Sequence, residues 1–178
     1  YAMHDLHFPR YQVLKWVNPC YAVRILSFAL LVGLGIKAMF RPLSRIQGLL
    51  FSCSIACGLS IFLKNTFKGF FGRYWPESFN HNNPSLITDQ AYGFHFWKWD
   101  EAHASFPSGH TALVFCAMTY LWVVAPKWRW LAALVCLFQT AVALLYNFHF
   151  LGDLIGGALL GSMCAAITIK IGSKRLLN

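Results

Sequence analysis

"PSGHTALVFCAMTYLWVVA", residues 107–125, opens on four residues suited to a turn and a polar contact, then runs apolar to its end. A helix needs roughly 20 mostly apolar residues to cross the hydrocarbon core of a bilayer, and this stretch has that length. Four others resemble it, at 21–40, 46–63, 130–148 and 151–169. Basic turns join them, "RPLSR" at 41–45 and "PKWR" at 126–129, and "KIGSKR" follows the last. The expected fold is all-α, a polytopic membrane helix bundle with five visible spans. Gly156, Gly157, Gly161 and Ser162 in the last span allow close helix packing.

Composition supports the bilayer as solvent. The 178 residues suit a single domain, 57% are hydrophobic, and only 12% are charged, where soluble domains carry about 25%. The net charge of +9 would suggest nucleic acid in a soluble protein. Here the basic residues mostly flank apolar runs, as membrane anchors do. Zinc spacing and nucleic-acid motifs are missing, so the expected partner is the lipid bilayer and not nucleic acid. Six cysteines sit mostly inside apolar runs without a C-x-x-C, which reads as small buried residues.

Residues 69–106 differ in character, with Pro76, Pro84, histidines and many aromatics. They are expected to form an ordered loop at the membrane interface. Its rings (Tyr74, Trp75, Phe94, Phe96, Trp97, Trp99) suit a lid over an amphiphile, or plain anchoring. Residues 1–18 read as an interfacial amphipathic segment. If the spans alternate, Arg41, Arg45, Lys127, Arg129, Lys170, Lys174 and Arg175 share one side. The positive-inside rule makes that side cytoplasmic. The 69–106 loop, His110 and His149 then lie on the non-cytoplasmic face, and the expected location is a bacterial inner membrane.

Three separated segments converge on that face. In PSGH, the free N–H groups and dipole of a helix start favour an anion. Gly109 lets a ligand approach the backbone, the Ser108 hydroxyl adds a donor, and His110 moves a proton near neutral pH. The same tetrapeptide would also suit an ordinary helix start. His149 and Asp153 stand four residues apart, so the carboxylate can fix one imidazole nitrogen and leave the other as a nucleophile. A plain capping pair would look alike. Lys68 and Arg73 supply positive charge, as ligands or as surface anchors. Together these residues describe phosphoryl transfer in which His149 attacks phosphorus and His110 protonates the leaving oxygen. Basic groups hold the phosphate, and water then cleaves the phosphohistidine. The scheme calls for no metal and no cofactor.

Over about 64–160 the chain resembles the type-2 phosphatidic acid phosphatase superfamily of integral membrane lipid phosphatases. The family pattern is K-x6-R-P, then P-S-G-H, then S-R-x5-H-x3-D. Lys68, Pro76, PSGH at 107–110, His149 and Asp153 match it. The family arginines fall on Trp75 and Ala143, and Arg73 with Lys68 is expected to hold the phosphate in their place. Lys64, Lys98 and His103 are the other candidates. The resemblance implies a six-helix bundle, of which a first helix would be missing here, and hydrolysis of a lipid phosphate or pyrophosphate. A lipid phosphotransferase and a non-catalytic lipid-phosphate-binding subunit share the same scaffold.

Overall fold

The turn at 41–45 shows how local sequence sets the bundle. In this computed structural model, which describes residues 19–78 and 83–176, α1 spans Pro19–Phe40 and α2 spans Arg45–Phe71. Ser44 caps α2: its hydroxyl accepts from Gln47 N at 3.4 Å, and Gln47 Oε1 accepts from Ser44 N at 3.1 Å. This reciprocal box satisfies donors that a helix start leaves open. Lys37 of α1 donates to the same Gln47 Oε1 at 2.9 Å, so the turn also ties the two helices. The segment expected at 1–18 lies outside the described residues.

The second helix is longer than the apolar run that announced it. It carries Lys64 and Lys68 as helical residues and stops at Gly72. That glycine adopts φ 53° and donates its N–H to Lys68 O at 3.0 Å. A left-handed cap of this kind costs glycine nothing and most other residues a good deal. The inter-helix loop therefore begins at 72, not 69.

The chain continues through a one-turn α3 (Leu86–Asp89), a 3-10 turn (Glu101–His103), α4 (Gly109–Val124), α5 (Arg129–Leu145) and α6 (Leu151–Leu176). The described residues form six α-helices and no strand, which makes the fold all-α. Among the described residues four segments are long and apolar enough to cross a membrane: Cys20–Phe40, Arg45–Phe71, Pro126–Leu145 and Leu151–Gly172. The stretch at 107–125 gives a shorter helix of 16 residues, about 24 Å at 1.5 Å per residue. Its place explains its composition. α4 packs against α1, α2, α5 and α6, and Thr111, Ala112, Leu113, Val114, Cys116 and Tyr120 are buried. A helix apolar all round belongs inside, and here the other helices supply that inside.

Contact with α6 is closest. A Cβ on Gly157 or Gly161 would run into the backbone oxygens of Ser108 and Ala112, so the two backbones touch where only hydrogen fits. Thr119 Oγ1 donates to Ser162 Oγ at 3.2 Å on the same seam. Lower in the bundle the Tyr120 hydroxyl lies 2.7 Å from both Ser52 Oγ and Thr168 Oγ1. These pairings set the end of α4 beside the start of α2 and the end of α6. The start of α4 thus shares the opposite end with Lys68 and Asp153. Outward faces stay apolar, with Phe28, Phe40, Leu137 and Leu159 all more than half exposed, as lipid-facing surfaces should be.

The described residues of the inter-helix loop, 72–78 and 83–108, are arranged around a short spine. Arg73 bridges Phe94 on one side and Ala104 on the other, and Trp75 bridges Ser85. His95 N donates to Gly72 O at 2.7 Å and Ser105 N to Arg73 O at 3.1 Å. These backbone bonds bring Arg73, Trp75 and Ser105 over the ends of α2, α4 and α6.

Candidate active site

Asp153, in the first turn of α6, is the hub of the site. It is fully buried, and its oxygens accept from four directions. Oδ1 takes Arg73 Nη1 at 2.7 Å. Oδ2 takes Ser105 Oγ at 2.6 Å and Phe150 N at 3.0 Å. His149 Nδ1 lies 3.5 Å from the same Oδ2 and 3.4 Å from Ser105 Oγ. A buried carboxylate is costly unless paired and hydrogen-bonded, and this one is both.

His149 sits in the break between α5 and α6 and is 5% exposed. Burial holds its pKa below the ordinary 6.5, partly opposed by the Asp153 carboxylate. The ring turns Nδ1 toward Asp153 and Ser105, and Nε2 makes no hydrogen bond among the described residues. Trp75 lies against the ring, with centroids 5.2 Å apart. Trp75, where the family pattern has arginine, thus packs on the histidine. It also carries the Lys68 ammonium over its own face, 5.0 Å from the centroid. Lys68 Nζ donates to Ala104 O at 2.5 Å, which sets it beside His149.

Arg73, expected on the phosphate, is largely committed elsewhere. Besides Asp153 it donates from Nη2 to Tyr92 Oη at 3.2 Å. Its guanidinium lies among the Tyr92, Phe94 and Phe150 rings, 4.3 Å from the Phe150 centroid. Only Nε is buried without a partner among the described residues.

The PSGH segment divides its labour. Ser108 is the cap of α4, and Pro107 precedes the cap instead of entering the first turn. The Ser108 hydroxyl is buried, accepts from Thr111 N at 3.4 Å and lies 3.0 Å from Thr111 Oγ1. Ser108 N donates to Asp153 O at 2.9 Å. Among the described residues the N–H groups of Gly109 and His110 have no partner, as the first turn of a helix leaves them. His110 lies within electrostatic reach of His149, Lys68, Lys64 and Arg24, with the Tyr21 ring 6.0 Å away. The structure thus gathers His149, Asp153, Lys68, Gly109 and His110 at one end of the bundle.

Two candidates lie apart from this group. His103 Nδ1 sits 2.6 Å from Asp100 Oδ1, which holds the Asp100 carboxyl below the usual carboxylate range. The His103 ring packs on Tyr74 and His95. Lys98 lies near Asp100 in the same outer loop. No group of three or more His, Cys, Asp or Glu side chains among the described residues is placed to hold a metal.

A family model described as the PAP2 superfamily matches residues 49–177. The chain belongs to the PAP2 superfamily. Its members are phosphatases, which makes this PAP2 chain a hydrolase of phosphate esters in general terms. Family and apolar helices together make it a membrane protein. No curated protein and no solved structure matches the chain. The family match begins within α2, so α1, with Tyr21 and Arg24, lies outside it.

Sequence reasoning missed Ser105, Tyr92 and Arg24. Ser105 is separated from His149 by 44 positions and from Asp153 by 48, and nothing local marks it. Its nearest signal is its place two residues before Pro107.

Proposed function

We propose that this PAP2 chain is a membrane phosphatase that removes phosphate from a lipid phosphate or pyrophosphate through a phosphohistidine. The observation that carries the proposal is the buried His149, with Nδ1 at Asp153 and Ser105 and with His110 within electrostatic reach. In the first step Nε2 attacks phosphorus while the phosphorus–oxygen ester bond breaks. His110, which carries its proton once the anionic phosphate offsets the nearby Lys64, Lys68 and Arg24, gives that proton to the leaving lipid oxygen. In the second step water attacks phosphorus, the nitrogen–phosphorus bond breaks, and His110 takes the proton from water. Asp153 stays ionised throughout and stabilises the charge that develops on the His149 ring.

Lys68 and the first-turn N–H groups of Gly109 and His110 provide the positive field for the phosphate oxygens, the main demand in phosphoryl transfer. Ser108 serves this arrangement by capping the helix, and Arg73 by holding Asp153. The setting supports a lipid substrate: the candidate residues gather at one end of an apolar bundle, and the adjoining loop carries exposed Phe96, Trp97 and Trp99. Aromatic side chains of this kind collect at membrane–water boundaries. The positive-inside pattern supports a non-cytoplasmic position for this end, and a bacterial inner membrane suits that arrangement.

Phosphate release from phosphatidate and from an isoprenoid diphosphate in detergent micelles tests the proposal. Wild-type protein releases phosphate from at least one. His149→Ala abolishes release, and His110→Ala slows it by about 10²–10⁴-fold, the usual worth of a general acid. Equal rates in wild type and His149→Ala would refute the mechanism.

A further inference from the structure

We infer that Lys64, supported by Arg24, is a phosphate-binding cation that acts where the arginines missing at Trp75 and Ala143 would have acted. This rests on the site proposed above and adds residues to it. Lys64 stands one helical turn before Lys68 on α2, so both ammonium groups leave the same face. Its side chain lies over the start of α4: a Cβ on Gly109 would sit 3.2 Å from Lys64 Nζ and 3.0 Å from its Cδ. The amine therefore covers the very turn whose N–H groups face the site, and the glycine makes room for it.

The charge balance points to an anion. Lys64, Lys68 and Arg24 all lie within electrostatic reach of His110. Lys64 is half-buried, lies near Arg24 and Cys20, and has no hydrogen bond or ion pair among the described residues. Among the carboxylates, Asp153 is the one that reaches Lys68. Its oxygens are already taken by Arg73, Ser105 and Phe150 N. Positive charge therefore accumulates at a helix N-terminus whose dipole adds to it. Charge gathered at the edge of an apolar bundle calls for a counter-charge, and a phosphate dianion supplies it. Arg73 cannot serve in the same way, because its terminal nitrogens hold Asp153 and Tyr92. Arg24 comes from α1, outside the family-matched residues, so the replacement draws on a helix that the family motifs do not describe.

Orthophosphate binding by the full chain in detergent tests this without turnover. Calorimetric titration is run on His149→Ala protein, alone and with Lys64→Gln, Lys64→Arg or Arg24→Gln. Lys64→Gln is expected to weaken binding about tenfold or more, the worth of a charge-assisted hydrogen bond. Lys64→Arg stays within about threefold of the parent, and Arg24→Gln falls between the two. Lys64→Met, which keeps the apolar stem, repeats the loss if Lys64→Gln fails to fold. Unchanged affinity in Lys64→Gln would overturn the inference. So would equal weakening by Lys64→Gln and Lys64→Arg, or a parent that binds no orthophosphate. A protein that binds phosphate through Lys64 yet never hydrolyses a phosphate ester would overturn the proposed function and leave this inference standing.

Discussion

Asp153 and Arg73 form a buried ion pair at 2.7 Å, with side chains 0% and 8% exposed. Removing one partner of such a pair leaves a charge that neither water nor protein compensates, at a cost of about 3–5 kcal/mol. Arg73→Gln should therefore lower the thermal midpoint in detergent sharply, and adding Asp153→Asn should restore part of the loss. Ser105→Ala removes a 2.6 Å bond to Asp153 and loosens the group that orients His149. It should lower kcat about tenfold with KM nearly unchanged, as the loss of one hydrogen bond to a charged group would. His149 itself should resist protonation. Its folded pKa lies below the ordinary 6.5 because of burial, so the unfolded chain takes the proton first as pH falls. The stability tied to its neutral form is thus present above pH 6.5 and is lost as pH falls below that, through the folded value. Nitrogen-15 spectra of labelled histidine should show the His149 ring mostly neutral at pH 6.5, where an ordinary imidazole is half protonated. A ring half protonated at pH 6.5 would contradict the burial argument.

At this scale the grouping of His110, His149, Asp153 and Lys68 at one end was legible, because each sits in a spaced pattern that chemistry constrains. Arg73 was legible as a cation near the site but not as the partner of Asp153, which lies 80 positions away. Lys64 read as one basic residue among several. Only the crossing of α2 over Gly109 sets it apart, and crossings are not written locally.

Among the elements, α4 and α6 carry the site. Their starts meet through the Ser108 N to Asp153 O bond, and their bodies meet at Gly157 and Gly161. Because an added side chain at Gly161 would run into the Ala112 backbone, Gly161→Leu should push the helices apart. A loss of about 1–3 kcal/mol is the usual cost of overpacking. It should appear as a lower thermal midpoint and, since His110 and Asp153 ride on these helices, as lost activity. Leucine at Gly161 with both properties intact would mean that the helices do not touch there. The apolar runs and basic turns announced every long helix, and the small residues of α6 announced its close contact. Two things escaped. α2 continues to Phe71 because Gly72 stops it, while an apolar-run criterion ends near the lysines. The loop spine at 73–75 pairs with segments near 85, 94 and 104, and such pairing leaves no period in the sequence.

For the whole molecule, the apolar outer faces and the uneven placement of charge describe a bundle made for lipid, with its chemistry gathered at one end. That end collects the starts of α4 and α6 and the close of α2, so it holds a helix N-terminus, two histidines and two lysines. The PAP2 membership fits this arrangement, while Trp75 and Ala143 stand where the family pattern has arginines. The most direct test is a rapid acid-free quench of the wild-type protein turning over a phosphorus-32-labelled lipid phosphate, followed by peptide mapping. The mechanism predicts acid-labile, alkali-stable label on the peptide carrying His149, absent from His149→Ala. Steady hydrolysis by wild-type protein with no label at His149 would contradict it.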